Sequence, residues 1–231
     1  QLYEGLKAEK EQFRSIVVHE AGAPVTLTSY MHVDDPIEMM AYWADKATSY
    51  PYEQRMKDIP FFGRQNGRIL RREAIGVVGA ITPWNVPVYL NIAKIGPALA
   101  SGCTIVLKPA PDTPGSATHI GKVIAERTEI PPGVVNIVAS SDHLTGEILS
   151  SDPRVDLVTF TGSTATGRRI MECASPTLKK VFLELGGKSA NVILDDADFE
   201  KAIAGGVQGC VMNSGQSCNA PTRMLVPQSR H

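Results

Sequence analysis

The sequence predicts an α/β fold: a doubly wound, mainly parallel sheet of about five strands, followed by the start of a second α/β unit. Three observations predict it. From residue 75 onward, short apolar runs rich in β-branched and aromatic residues alternate with helix-like stretches, which is the pattern of βαβ units with right-handed crossovers. The runs lack the in–out alternation of a half-solvated strand, which fits burial on both faces. Glycine and proline, 20 and 16 of 231 residues, are somewhat enriched and imply many tight turns.

Residues 1–55 read as mainly helical. Asp35-Pro36 is a helix start, with proline in the first turn, and Ile37, Met40, Ala41 and Ala44 continue the stripe of one helical face. Residues 56–74 read as a protruding extended segment: Pro60, two glycines and the basic run Arg68, Arg71, Arg72 do not make a core. The expected strands are Gly76–Ile81, Thr104–Leu107, Val134–Val138, Leu157–Phe160 and Val181–Leu185. Helices are expected over 86–101, closed by Gly102, and over 114–127, 142–150 and 165–173. Pro97 predicts a kink in the first of them. After 186, a strand from Ala190 and a helix from Asp198 open a second unit.

Composition excludes several functions. With 23 Lys+Arg against 24 Asp+Glu the net charge is −1, without the basic excess of a nucleic-acid or anionic-membrane binder. Hydrophobic residues at 43% and charged residues at 20% are those of a folded domain. Asn91, Lys94 and Lys108 break the longest apolar stretches below the roughly 18 residues of a membrane helix. Cys103, Cys173, Cys210 and Cys218 form no C-x-x-C pair, so no metal site and no disulfide framework is expected. The N-terminus is charged and has no apolar secretory core, and a reduced, cytoplasmic setting is expected. The sequence starts at Gln1 and stops just after Ser229, a good helix N-cap, so a piece of a longer chain is expected.

The chemistry concentrates at predicted strand ends, where sheets of this kind bind ligands. Phe160-Thr161-Gly162-Ser163-Thr164-Ala165-Thr166-Gly167 follows a strand and opens a helix, so its backbone N–H groups can hold a phosphate. Gly162 and Gly167 match the outer glycines of G-x-G-x-x-G, but Thr164 replaces the middle one; alone, the loop is equally a plain strand–helix turn. Cys218 ends the polar loop Asn213-Ser214-Gly215-Gln216-Ser217 and is either a nucleophile or an incidental loop cysteine. Glu184 interrupts the apolar Val181–Leu185 run. It is either a salt-bridged edge carboxylate or a buried group whose basicity burial raises toward that of a general base. Asn85, after Thr82-Pro83-Trp84, is either a turn residue or an amide donor to an oxyanion. Thiol, carboxylate and amide together favour covalent thioester catalysis over three coincidences.

At these residues the sequence resembles the aldehyde dehydrogenase superfamily. The resemblance rests on Ile81-Thr82-Pro83-Trp84-Asn85, Gly96-Pro97-Ala98-Leu99-Ala100-Ser101-Gly102, Leu107-Lys108-Pro109-Ala110, Phe160-Thr161-Gly162-Ser163-Thr164, Leu183-Glu184-Leu185-Gly186-Gly187-Lys188 and Gly215-Gln216-Ser217-Cys218, in family order and spacing over residues 30–225. It implies a Rossmann-like NAD(P)-binding core over 75–186, preceded by its helical part at 1–55 and an oligomerisation-arm segment at 56–74. An incomplete catalytic domain follows at 187–231. It implies that Cys218 attacks the aldehyde, that Asn85 and the Cys218 N–H hold the oxyanion, and that Glu184 activates water against the thioester. It places Lys94 near Glu184 in proton relay. Lys108 is implied at the adenosine ribose and Trp84, Gly162 and Ser163 at the pyrophosphate. Ile81, Thr82 and Pro83, with Leu185 and Gly186, fall beside the nicotinamide.

Two departures stand out. Pro111 replaces the glutamate that in many members binds the ribose hydroxyls, which leaves NAD versus NADP open, with NAD the favoured cofactor. Val86, Leu90 and Ala93 replace bulky tunnel aromatics and predict a roomy tunnel for an apolar aldehyde. A homo-oligomer is implied for the whole protein. The alternatives are a CoA-acylating relative, which Glu184 argues against, and a catalytically silent dinucleotide-binding fragment, which joint retention of Cys218, Glu184 and Asn85 argues against.

Overall fold

The computed structural model describes residues 1–230. His231, the last residue of the expected second-unit fragment, lies outside the described residues. Helices α1 (Leu2–Ala8) and α2 (Lys10–Ala21) lead to the single turn α3 (Val25–Leu27), a wide π-helical turn Thr28–His32, and α4 (Asp34–Ser49). Strands β1 (Glu53–Phe61) and β2 (Arg64–Arg71) come next. Then β3 (Val77–Ile81), α5 (Pro87–Ala100), β4 (Thr104–Lys108), α6 (Pro114–Arg127), β5 (Val135–Ile137), α7 (Leu144–Ser151), β6 (Leu157–Gly162), α8 (Thr164–Ala174) and β7 (Lys180–Leu185) alternate.

The five strands β3–β7 form one sheet in the order β5-β4-β3-β6-β7, every neighbouring pair parallel. The order of strand addition reverses at β3, which pairs with both β4 and β6: Val78 lies between Ile105 and Leu157. Side chains alternate across a strand, and that alternation builds two cores. Val78, Ala80, Ile105 and Leu107 face Phe13, Ile37, Ile92 and Ile120 from α2, α4, α5 and α6. Val77, Ile81 and Val106 face the other way, with Val158 and Phe160, onto Leu149 of α7 and Ile170 of α8. Helices on both faces make the sheet doubly wound, as expected.

Continuous apolar runs predicted burial on both faces of every strand, and β7 corrects this. Val181, Leu183 and Leu185 pack on the second core, whereas Phe182 is 61% exposed and Glu184 is exposed on the opposite face. β7 is an edge strand, and α5 covers only the sheet's middle on that side. α5 itself runs through Pro97 to Ala100 as one helix, with Pro97 in its last turn. Gly102 then reverses the chain at φ +77, a conformation that suits glycine.

The segment expected to be extended is a β1–β2 antiparallel hairpin that begins at Glu53, three residues before the expected boundary, and is almost wholly exposed. Its two-residue tip, Phe62-Gly63, has both φ values positive, the backbone a tight hairpin turn requires. Beyond β7, β8 (Ala190–Val192) and β9 (Arg223–Leu225) pair in parallel around α9 (Phe199–Val211), whose N-cap Asp198 accepts the Lys201 N–H. No described helix is long and apolar enough to cross a membrane.

Candidate active site

The site forms at the carboxyl ends of β3, β6 and β7, beside the point where the sheet order reverses. Thr82, just past β3, is buried; its Oγ1 donates to Asn91 Oδ1 at 2.7 Å and its N–H donates to the Lys108 carbonyl. These bonds tie the first turns of α5 to the ends of β3 and β4, and so fix the intervening Pro83-Trp84-Asn85. At the end of β6, Ser163 caps α8 by accepting the Thr166 N–H at 3.1 Å. A Cβ on Gly162 would lie 2.4 Å from the Phe160 ring, and one on Gly167 would lie 2.7 Å from a Leu185 methyl, so a side chain at either position would have to displace a neighbour in this turn.

A cleft of about 950 Å³ opens there. Pro83, Trp84 and Asn85, Gly162 and Ser163, Glu184, Leu185 and Gly186, and Cys218 all line it, with Val86 and Leu90 on its apolar wall. The structure thus brings together the expected nucleophile, base and amide. The Asn85 Nδ2 donates to the Gln216 carbonyl at 3.0 Å, two residues before Cys218. Lys188 Nζ donates to the Ser217 carbonyl at 3.2 Å from the other side. Cys218 is exposed, whereas Cys103 is buried and Cys173 and Cys210 are half-buried.

Two expectations are corrected. Glu184 is exposed rather than buried, because β7 is the sheet edge. Ala93 does not reach the cleft: it lines a separate cavity of about 230 Å³ with Lys94 and Phe182. At 1.5 Å of rise per residue it lies roughly 10 Å farther along α5 than Val86. Lys94 also lines that smaller cavity, yet it is near enough to Glu184 to feel its charge. Burial pushes the Lys94 ammonium below its ordinary value, and the Glu184 carboxylate partly offsets this.

Ile81 and Lys108 line a second cavity of about 400 Å³, on the far side of the Ser163–Thr166 turn, with Gly146, Glu147 and Arg169. Lys108 is buried, and its Nζ donates to the Pro109 and Ser140 carbonyls at 3.2 and 3.1 Å; burial lowers its pKa. The two cavities flank the α8 N-terminus. There Thr161 Oγ1 is buried without a partner among the described residues. Open space at Gly186, free helix N–H groups and this orphan hydroxyl suit an elongated polar ligand carrying phosphates.

Sequence reasoning missed Met31, Tyr89 and Gln216 as lining residues. Tyr89 could have been found, three residues after Val86 on one helical face. Met31 could not, because its turn reaches the cleft only through tertiary packing.

The aldehyde dehydrogenase family model matches residues 1–231. The chain is 54% identical over 159 residues to 3-succinoylsemialdehyde-pyridine dehydrogenase of a Pseudomonas species, an alignment covering 69% of this chain and 33% of that protein. A Mycobacterium tuberculosis aldehyde dehydrogenase solved with NAD+ superposes with a TM-score of 0.91 at 42% identity, covering 99% of this chain and 46% of that one. A mutant aldehyde dehydrogenase C of Pseudomonas syringae, solved with NAD+ and octanal, gives 0.91 at 36%, covering 99% and 45%. The chain spans less than half the length of each of these. On the match along its whole length, this chain belongs to the aldehyde dehydrogenase family.

Proposed function

We propose that the protein to which this chain contributes its nucleotide-binding and nucleophile-bearing part oxidises an aldehyde to a carboxylic acid with NAD. One observation carries the reading: Cys218, Glu184 and Asn85 line a single cleft. The Cys218 thiolate adds to the aldehyde carbon, and the carbonyl electron pair moves onto oxygen. Asn85 Nδ2 has two hydrogens; one serves Gln216, and the other is available to the oxyanion together with the Cys218 N–H. NAD bound in the cleft would supply the hydride acceptor for oxidation of the Cys218 thiohemiacetal to a thioester. Glu184 then takes a proton from water as the water oxygen attacks that thioester, and the acid leaves with the thiolate restored. Ser163, Trp84 and the α8 N-terminus are suited to the pyrophosphate, Lys108 to the adenosine ribose, and Ile81, Thr82, Pro83, Leu185 and Gly186 to the nicotinamide end.

Val86 and Leu90 leave the apolar wall open, which favours medium or larger hydrophobic aldehydes; the octanal of the Pseudomonas syringae complex is of that kind. The exposed β1–β2 hairpin is suited to pairing between subunits of a homo-oligomer. The test is NADH formation by the full-length enzyme with acetaldehyde and with a long-chain aldehyde. Turnover that prefers the long chain and vanishes in Cys218→Ala, with NAD affinity kept, supports the reading. Equal turnover of both aldehydes overturns the apolar specificity. Activity in Cys218→Ala overturns the mechanism, and acyl-CoA in place of free acid as product overturns the role of Glu184.

A further inference from the structure

His32 is fully buried, yet it belongs to no strand end and to none of the family stretches. It closes the π-helical turn before α4. Arg14 clamps that turn at both ends, donating to the Thr28 carbonyl at 2.7 Å and pairing with Asp34 at 2.9 Å. His32 Nε2 lies 2.9 Å from Asn213 Oδ1, across 181 positions of sequence. Asn213 is itself buried, and its Nδ2 donates to the Asn85 carbonyl at 3.1 Å and the Gln216 carbonyl at 3.3 Å. Because both amide donations run toward Asn85 and Gln216, the carboxamide oxygen must face His32. The imidazole therefore carries its proton on Nε2, and Nδ1 is left without a partner among the described residues.

The loop that these bonds hold is strained. Asn213, Ser214 and Gly215 have φ of 53, 57 and 76, three successive left-handed residues just before Cys218. Two of them are not glycine and keep this conformation only where surrounding contacts impose it. The contacts come from the Asn213 carboxamide, and His32 orients that carboxamide.

We propose that His32 is a positioning residue: through the Asn213 carboxamide it sets the loop that places Cys218 against Asn85. The proposal rests on Cys218 being the nucleophile. His32 itself does not line the cleft, and its side chain reaches the Cys218 loop through the hydrogen bond to Asn213.

The test uses the full-length enzyme and three variants. Gln can place an N–H donor near the position of imidazole Nε2, Asn is one carbon too short, and Leu has no donor. A displacement of about 1 Å at a reacting group can cost roughly 10²-fold, so His32→Leu and His32→Asn are expected to lose at least about tenfold in kcat while the NAD dissociation constant holds. His32→Gln is expected to stay within about threefold of the parent, since the donor is restored. Iodoacetamide alkylation of Cys218 without NAD, which needs no turnover, should shift with Leu and Asn and return with Gln. In an Asn213→Ala background, His32→Leu should cost nothing further. If His32→Leu does not fold, the Gln and Asn pair decides. Equal activity and equal alkylation in those two, or parent-like values in all three, overturn the proposal. A Cys218→Ala control separates the cases: if it stays active, the mechanism fails; if it is dead while the His32 variants behave as parent, only the role of His32 fails.

Discussion

The side-chain amide of Asn85 donates to the main-chain carbonyl of Gln216 at 3.0 Å, joining the turn after β3 to the loop that carries Cys218. One Asn85 hydrogen is thereby spent on architecture, and the other is left for chemistry. Asn85→Ala is expected to lower kcat/KM for aldehyde by roughly 10²–10³-fold, the usual loss for an oxyanion donor, with NAD affinity kept. Steady-state NADH formation beside an NAD titration checks this, and parallel losses in both would assign Asn85 to the fold alone.

Glu184→Gln should divide the reaction in two. The first turnover, which needs Cys218 and Asn85, is expected to survive as a burst of NADH. Steady-state turnover should fall by about 10²–10⁴-fold for want of a base. Stopped-flow traces show both phases, and hydroxylamine, which cleaves thioesters itself, should restore turnover. Loss of the burst would mean that Glu184 acts before the thioester.

Lys94 predicts a pH dependence of stability. Burial holds its ammonium below the ordinary 10.5, with Glu184 opposing, so the folded state binds the proton less tightly than the unfolded chain. Stability contributed here therefore rises with pH between the lowered value and 10.5, and the cost of burying the charge is fully present below the lowered value. Lys94→Met should melt higher than the parent at neutral pH, and the gap should narrow as pH approaches 10.5. Melting curves across that range decide it; a gap independent of pH would place the effect in packing.

Gly96 meets Trp43 where α5 crosses α4. A Cβ there would sit 2.3 Å from the indole Cδ1, so Gly96→Ala must push the two helices apart or turn the ring. The expected cost is about 1–3 kcal/mol, as for other overpacked sites. Urea denaturation measures it, and an unchanged midpoint would mean that Trp43 rotates freely.

The 231-residue chain should form the cleft and bind NAD, yet show no steady aldehyde oxidation, because the structures it matches are more than twice as long. Sustained NADH production by that pure chain would show that the rest of those structures is not needed for turnover.

The five core strands were legible because apolar runs of β-branched residues have little else to be, and the capped and glycine-closed helices between them followed. Asn85, just past β3, and Glu184, at the end of β7, followed from the strand ends, whereas Cys218 lies in the loop after α9. What the sequence could not show was solvent. Val181–Leu185 reads like Thr104–Leu107, and only the strand order makes one an edge and the other interior. Ala93 continues the helical stripe of Val86 and Leu90, but the stripe runs down the helix and away from the cleft. His32 and Asn213 are 181 positions apart, and nothing local in either marks the pairing.

The strand order also sets a timetable for synthesis. β3 pairs with β4 soon after both are made, but its other neighbour begins at Leu157, opposite Val78. At the usual 5–20 residues per second, the ribosome delivers that partner roughly 4–16 s later. During that interval half of the central sheet has an open edge. β6 arrives with the α8 turn attached, so the α8 end of the cleft is completed in the same event that seals the sheet.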